Sequence, residues 1–350
     1  MTANLIEELK QHTVPEIPLL RTPKTVQILM IRQTHDYTIF RTEETREINV
    51  AVTPKSIEDH SQVTRAVFLA SKQKAPETRE FAATVKEYYR KYRGQTPFTT
   101  QYDSLVDQLS KTLKKKDLKT LLEQEILECE IKDSLCRTCP RCTLFGAVVT
   151  EREAKIWSRW NIKHRIEYSS AFSLESYDLV TENMTFNAVT ESTQLTGQAL
   201  GTTENIAPLV NFPSIVSINS PTWEELILVI KNLIKTKSYG AEGRTKGDTV
   251  NYITGIVFAN EEVLTPLEYL LELSQSSLQN VCETTYQIEE KYADLAAFKD
   301  AIRLLTPQEV EEFTNYASGL QLTAEFVAKA FTDSLRFAGQ VDERARQTST

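Results

Sequence analysis

Four of the five cysteines in this 350-residue chain fall between Cys129 and Cys142. Three keep C-x2-C-x2-C spacing in Cys136-Arg-Thr-Cys139-Pro-Arg-Cys142, and Cys129 precedes them by seven residues. Thiolates at two-residue gaps in a tight turn bring their sulfurs to one side, and four such donors close a tetrahedral site of the kind structural zinc requires. Whatever elements carry these residues must then meet at one point. Cys136, Cys139 and Cys142 are the firm ligands. The fourth is Cys129 or a distant histidine, with His60 the better placed. Iron–sulfur clusters use the same spacing, and buried thiols without an ion are the plainest alternative. With every position filled by protein, the metal would be structural rather than catalytic.

Clustered thiols suit a reducing compartment, where they are metal ligands more often than disulfides. No apolar run approaches the roughly 20 residues needed to cross a bilayer, so no membrane partner is expected. Met1 to Lys10 lacks a signal peptide's apolar centre, so the expected location is the cytoplasm. Net charge is −8, which at first argues against nucleic acid. Its distribution argues otherwise. Residues 261–350 hold 7 Lys or Arg against 16 Asp or Glu, a balance of −9, while residues 65–119 hold 13 against 6, a balance of +7. Such segregation suits one basic binding face and an acidic back, and the acidic third could also meet a basic partner.

The order of patterns points to an α+β chain. Thr25 to Arg32, Tyr37 to Arg41 and Glu47 to Val52 read as strands, with a hairpin turn near Thr34-His35-Asp36. Glu77 to Arg93 reads as a helix with Phe81, Val85, Tyr88 and Tyr92 on one stripe, and Lys86, Arg90 and Arg93 on another. More helix follows to Leu127. A helical, basic, metal-ended segment thus interrupts a strand-rich one, as an insertion would. Thr181 to Pro213 is long, rich in Thr and Asn and poor in charge, and suggests a protruding hairpin. Trp223 to Lys235 reads as a helix capped by Ser220 or Thr222. From Leu264 onward the pattern is helical almost throughout.

Three basic groupings suit phosphate. The loop Lys235 to Gly247 combines three glycines with Lys235, Lys237, Arg244 and Lys246, and Tyr239 is placed to stack on a base. It ends in no GK[ST] and holds no GxGxxG. Arg152, Lys155, Arg159, Lys163 and Arg165 interleave with Trp157, Trp160 and His164, a mixture suited to single strands. Arg21, Lys24, Arg32, Arg41 and Arg46 are similar and individually weak. A solvated turn and a surface strand are the bland readings of these groups. No nucleophile arrangement stands out. Asp36 is the one weak candidate for general-base or metal-assisted chemistry, so the chain reads as a binding protein rather than an enzyme.

Taken together, Cys139-Pro-Arg-Cys-x-Leu-Phe-Gly-Ala147, the loop Ser238-Tyr-Gly-Ala-Glu-x-Arg-x-x-Gly247 and the opening Arg21-Thr-Pro-Lys24 resemble the guide-RNA-binding backbone subunit of type I-D CRISPR interference (Cascade) complexes, within the RAMP superfamily. The resemblance covers most of the chain. It implies a prokaryotic cytoplasmic ribonucleoprotein of antiviral defence whose copies stack as a filament along a guide RNA and present it to a target DNA or RNA strand, beside other subunits. It implies a modified ferredoxin-like, RNA-recognition-like palm at 20–55 and 144–260, helical zinc-binding fingers inserted at 56–143, a thumb hairpin within 180–213, and a helical C-terminal region at 261–350 packed on the palm. Met184 and Phe186 would be thumb tips. Related subunits cut RNA with a loop aspartate near the first strand, which makes a metal-dependent single-strand nuclease at Asp36 the alternative.

Overall fold

The computed structural model describes residues 3–40, 47–130, 134–148, 156–157, 160–189, 196–241 and 245–348. Helix α1 (Ala3–Gln11) precedes strand β1 (Thr25–Thr34). Strands β2 (Val50–Pro54) and β3 (Gln62–Phe68) pair and lead into the long helix α2 (Ala70–Tyr92). A π-helical turn (Phe98–Asp103) opens α3 (Ser104–Leu113), followed by α4 (Leu118–Leu127) and the short α5 (Pro140–Phe145). Then come β4 (Ile166–Tyr168), β5 (Ala171–Phe172), the single turn α6 (Tyr177–Val180), and the strands β6 (Thr181–Val189) and β7 (Thr196–Ile206). β8 (Asn211–Asn219), α7 (Trp223–Lys235) and β9 (Thr249–Ala259) follow. The C-terminal third holds α8 (Pro266–Leu273), α9 (Val281–Ala293), β10 (Arg303–Leu304), α10 (Pro307–Gly319) and α11 (Ala324–Thr348).

The main sheet has the order β10-β9-β1-β8-β4, with antiparallel neighbours throughout. β8 and β9 therefore run parallel to each other with β1 between them, and α7 crosses from one to the other. This is a β-α-β unit split by β1. Because β1 is covered on both faces, its sequence is a nearly continuous apolar run rather than an alternation. Val26, Ile28 and Met30 point into a core shared with α2, α7, α10 and α11. Leu29 and Ile31 point the other way, into a core closed by Tyr269 of α8 and by Ile288 and Tyr292 of α9. β6 and β7 form a separate two-stranded ladder. A third core lies at its base, where Phe40, Phe68, Phe212 and Tyr239 gather and the Phe40 and Phe68 rings stack at 3.8 Å. Among the described residues no helix is long and apolar enough to cross a membrane.

Three local expectations change. Tyr37 to Phe40 does not fold back on β1 as a hairpin strand, because β8 and β9 already occupy both edges of β1; Thr38 instead forms an isolated bridge with Ile206. Residues 41–46 lie outside the described part. Helix α2 begins at Ala70, seven residues before the expected start, and carries Pro76 inside it. Proline normally marks a helix start because it lacks an N–H, but here burial of Gln73, Pro76 and Glu77 overrides that preference. The inward stripe of α2 is Phe81, Val85 and Tyr89, with Tyr88 and Tyr92 half-buried. Helix α7 spans Trp223 to Lys235 as expected, and Thr222 is its cap, in a capping box with Glu225.

One buried group beside the second core lacks hydrogen-bond partners. The Glu289 carboxylate is buried against Gly255, with neither oxygen hydrogen-bonded within the protein. A Cβ at position 255 would collide with it, so only glycine fits there. Burial pushes the Glu289 carboxyl well above the usual carboxylate range. The folded chain keeps that proton while the unfolded chain releases it, so this group's contribution to stability falls as pH rises above the ordinary glutamate pKa. Glu289→Gln should therefore unfold in urea at a higher midpoint than the parent at pH 8, by about 1–3 kcal/mol, with the difference shrinking toward pH 5. Equal differences at both pH values would mean that the carboxyl is ionised in the fold.

Candidate metal centre and nucleic-acid surface

The four clustered cysteines come from the end of α4, the turn after it and helix α5, and all are buried. Their sulfurs lie within 4.8 Å of one another. Cys129 Sγ is 3.5 Å from Cys142 Sγ, and Cys136 Sγ is 3.9 Å from it. A tetrahedral zinc with bonds of about 2.3 Å needs sulfurs roughly 3.8 Å apart, so the donor set fits that ion. The turn is tight because Arg137 adopts left-handed backbone at φ 63° and because the Cys142 N–H donates to the Cys139 carbonyl at 3.0 Å. The Cys136 N–H lies 3.5 Å from Cys129 Sγ, the usual support for a thiolate ligand. Hydrogen bonds from Cys136 and Cys139 hold the Cys129 thiol below its ordinary range, while burial pushes Cys136 well above it. A dication would neutralise thiolates that the apolar surroundings alone disfavour.

The fourth member of the sulfur cluster is thus Cys129. His60 sits on the exposed turn between β2 and β3, with Nε2 3.3 Å from the Ile57 carbonyl, and takes no part in the cluster. The cysteines belong to the same core as β1, α2 and α7. Phe145 packs on Phe81 of α2 with ring centroids 5.1 Å apart, and Thr143 Oγ1 lies 3.1 Å from Ser334 Oγ of α11. The centre therefore pins α5 between α2 and α11.

The glycine loop between α7 and β9 closes at its base, where the Lys237 carbonyl accepts from the N–H groups of Asp248 at 2.7 Å and Thr249 at 3.0 Å. Gly247 has φ 90°, and a Cβ there would run into the Lys237 backbone, so the loop needs glycine at this position. Asp248 accepts the Tyr239 and Gly240 N–H groups and fixes the loop's first arm. Beside it lies a cleft of about 430 Å³ lined by Arg79, Lys235, Lys237, Ser238, Thr245 and Lys246. Arg79 had no part in the sequence reading. It belongs to the basic stripe of α2, seven residues before Lys86, and that spacing was the available signal. Lys235 is partly neutralised by Glu80 at 2.7 Å.

Several residues expected to meet nucleic acid turn out to be structural. Tyr239 is only 5 % exposed, and its hydroxyl donates to Glu77 Oε1 at 2.8 Å, so it offers no free face to a base. Arg32 is fully buried, 2.6 Å from Glu77 Oε1. Burial opposes its charge, but Glu77 beside it outweighs that and holds its pKa above the usual value. Arg165 forks onto the Glu225 carboxylate and donates Nε to the Thr143 carbonyl at 3.1 Å, clamping α5 to the start of α7. Lys24 Nζ donates to the carbonyls of Gln11 and Thr13. Trp157 is buried, and Trp160 lies under the Arg137 guanidinium at 5.4 Å.

Lys163, His164 and Lys246 are exposed, and Arg21 is exposed with Nη1 4.0 Å from Glu167. Arg41, Arg46, Arg152, Lys155, Arg159 and Arg244 lie outside the described residues. Met184 is half-buried on β6 opposite Thr203, and Phe186 takes the register position opposite Gly201, its side chain outside the described part. Asp36 Oδ1 accepts the Tyr37 N–H at 2.8 Å, and the cysteines are the only cluster of three or more metal-ligating residues among the described ones.

Fold and centre together define a mixed α+β protein of antiparallel sheets organised around a four-cysteine centre. A family model described as Csc2 Crispr matches residues 11–329, and the chain belongs to that family. The crystal structure of Thermofilum pendens Csc2 is similar in fold, with a TM-score of 0.60 and 17 % identity over 96 % of this chain and 95 % of that one. Two structures titled as a CRISPR RNA-guided surveillance complex, one of them pre-nicking, match with TM-scores of 0.47 and 0.46, at 13 % and 12 % identity, each over 84 % of this chain and 99 % of that one. No curated protein matches the chain.

Two outcomes test the site. Arg32→Met should destabilise the fold by about 3–5 kcal/mol by stranding the buried Glu77 carboxylate, and Glu77→Leu added to it should recover much of that stability in urea titrations. The purified chain should carry one zinc by elemental analysis. Its removal by a strong chelator should lower the melting temperature and expose four thiols to a thiol reagent, more readily as pH falls because protons compete for the ligands. An unchanged melting curve after verified metal removal would rule out a structural ion.

Proposed function

We propose that this chain is the guide-RNA-binding backbone subunit of a type I-D CRISPR interference complex, with no catalytic role. The observation that carries the reading is the family match, which spans nearly the whole chain. Such a subunit coats any guide, so it must hold RNA through phosphate, shape and stacking and leave sequence to base pairing. The glycine-loop cleft suits that task. Backbone at Gly247 allows close approach, and Arg79, Lys237 and Lys246 supply charge without a fixed carboxylate partner among the described residues. Lys163 and Arg21 extend the basic surface, and Arg41, Arg46, Arg152, Lys155 and Arg244 are proposed to join it.

In this reading the split β-α-β sheet is the RNA-recognition-like palm, residues 56–143 are the fingers stapled by zinc on Cys129, Cys136, Cys139 and Cys142, and the β6–β7 ladder is the thumb. Met184 and Phe186 sit on the thumb to reach over the guide. Partners are the guide RNA, the target strand paired to it, further copies of this chain and the other subunits.

Co-expression with its neighbouring genes and a CRISPR array should yield a preparation that holds a discrete RNA of guide length. Binding of single-stranded RNA should weaken steeply with salt, with a log–log slope that changes by about 0.7 per phosphate neutralised, so Lys237→Ala with Lys246→Ala should flatten it by about 1.4. A salt-independent affinity, or RNA-free protein from cells shown to contain the guide, would remove the reading.

A further inference from the structure

A second, more apolar cleft lies elsewhere. It holds about 1110 Å³ between α2 and α7, with the cysteine knuckle as one wall. Its floor is apolar, formed by Phe81, Leu228 and Leu322, and its rim carries Arg79, Lys86 and Arg90. These three cations follow one stripe of α2, and none has a carboxylate partner among the described residues. Two acids, Glu87 and Glu130, also line it. A volume of this size takes a short loop rather than one side chain. Of its two aromatic lining residues Phe81 is buried and Tyr88 half-buried, and an apolar floor this large is a poor seat for phosphates.

An exposed apolar loop of matching chemistry lies on the same chain. After α9, the loop Asp294-Leu-Ala-Ala-Phe-Lys-Asp300 leaves Leu295 75 % and Phe298 61 % exposed. Phe298 is the only exposed phenylalanine among those whose side chains are described. Asp294 and Asp300 flank the pair, against one cation, Lys299, and the Glu261 carboxylate holds the loop by accepting the Phe298 N–H at 2.6 Å. The loop is thus a fixed apolar knob with an acidic collar, in a region whose net charge is −9 over residues 261–350.

The two features lie on opposite sides of the main sheet. The cleft is built on the helices of the first core, and the knob follows α9, which closes the second core. The chain cannot bring its own knob into its own cleft. We propose that the α2–α7 cleft receives the Asp294–Asp300 loop of a second copy of this chain, in a head-to-tail contact. Leu295 and Phe298 enter the apolar floor, and the collar faces Arg79, Lys86 and Arg90. A contact between two different patches does not close on itself as a twofold dimer does; repeated, it builds a ring or an open helical stack. The contact supplies the copy-to-copy step of the backbone reading, on which its biological meaning rests. The glycine-loop cleft, which shares Arg79 and Lys235 with this one, keeps RNA beside the junction.

The test uses the full chain stripped of nucleic acid, compared by sedimentation velocity over a concentration series and again on a single-stranded RNA long enough for several copies. The knob variant Leu295→Ser with Phe298→Ser should lower the association constant at least about tenfold, as removal of a buried apolar anchor does. It should still shift RNA as single copies. The cleft variant Lys86→Glu with Arg90→Glu should do the same. Mixed, the two variants retain one intact knob and one intact cleft, so they should form heterodimers and nothing longer. Adding Asp294→Lys to the cleft variant should restore part of its own assembly.

A knob variant that assembles like the parent, with or without RNA, overturns the proposal. So does a cleft variant that loses RNA affinity while the knob variant assembles normally, since the cleft would then belong to nucleic acid. Failure of the parent chain to bind RNA, with self-association intact and knob-dependent, would instead sink the RNA reading and leave this contact standing.

Discussion

The buried ion pair between Arg32 and Glu77 holds the molecule's parts in register. Arg32 comes from the central strand and Glu77 from α2, and their 2.6 Å contact lies wholly inside the protein. Two desolvated charges gain little net stability from each other, yet removing either one is severe for the other. The pair is therefore a constraint on arrangement more than a source of free energy. Tyr239 of the glycine loop, Tyr168 of β4 and Asn251 of β9 all hydrogen-bond into it, and Asn232 of α7 donates to the Glu77 carbonyl. The Tyr239 ring lies 5.3 Å and the Phe68 ring 5.9 Å from the guanidinium carbon, so aromatic faces meet part of its charge. The strand order, the seating of α2 and the root of the glycine loop cannot shift independently.

The cysteine cluster does for the helical half what the ion pair does for the sheet. The described residues of 98–148 hold a π-helical turn and three short α-helices. Four sulfurs closing on one point fix α5, and through Phe81 and Ser334 they fix the faces of α2 and α11. The α2–α7 cleft is bounded by that cysteine knuckle and by α2, which the ion pair seats on the central strand. Both surfaces assigned to partners, the glycine-loop cleft and the larger groove, thus rest on polar devices inside the protein rather than on the loops that line them.

Charge explains why the cation-based part of the sequence reading divided as it did. A lysine or arginine in a linear pattern has two destinations: solvent, where it is available to phosphate, or an internal carboxylate or carbonyl, where it is not. Lys163 and Lys246 took the first course. Arg32 and Arg165 took the second, because Glu77 and Glu225, 45 and 60 residues away in sequence, arrive beside them in the fold. Tyr239 follows the same logic: its ring fills the third core, and its hydroxyl completes the buried network.

What the sequence determined by itself is whatever depends on near neighbours along the chain. The cysteine spacing dictated a common point for three sulfurs, because a two-residue gap in a turn leaves little choice. The apolar run at Thr25 to Arg32 dictated a buried strand, and Thr222 with Glu225 set the start of α7 through a local capping box. The tertiary structure decided what depends on residues far apart. It carried α2 back through Pro76 to Ala70, since burial against distant strands outweighs one missing hydrogen bond. It denied Tyr37 to Phe40 a place beside β1, since β8 and β9 reach those edges first. It placed Cys129, not His60, beside the other three sulfurs, since only folding shows which side chain comes within reach of them. Spacing fixes local geometry; long-range burial and pairing decide which of the locally allowed roles each residue fills.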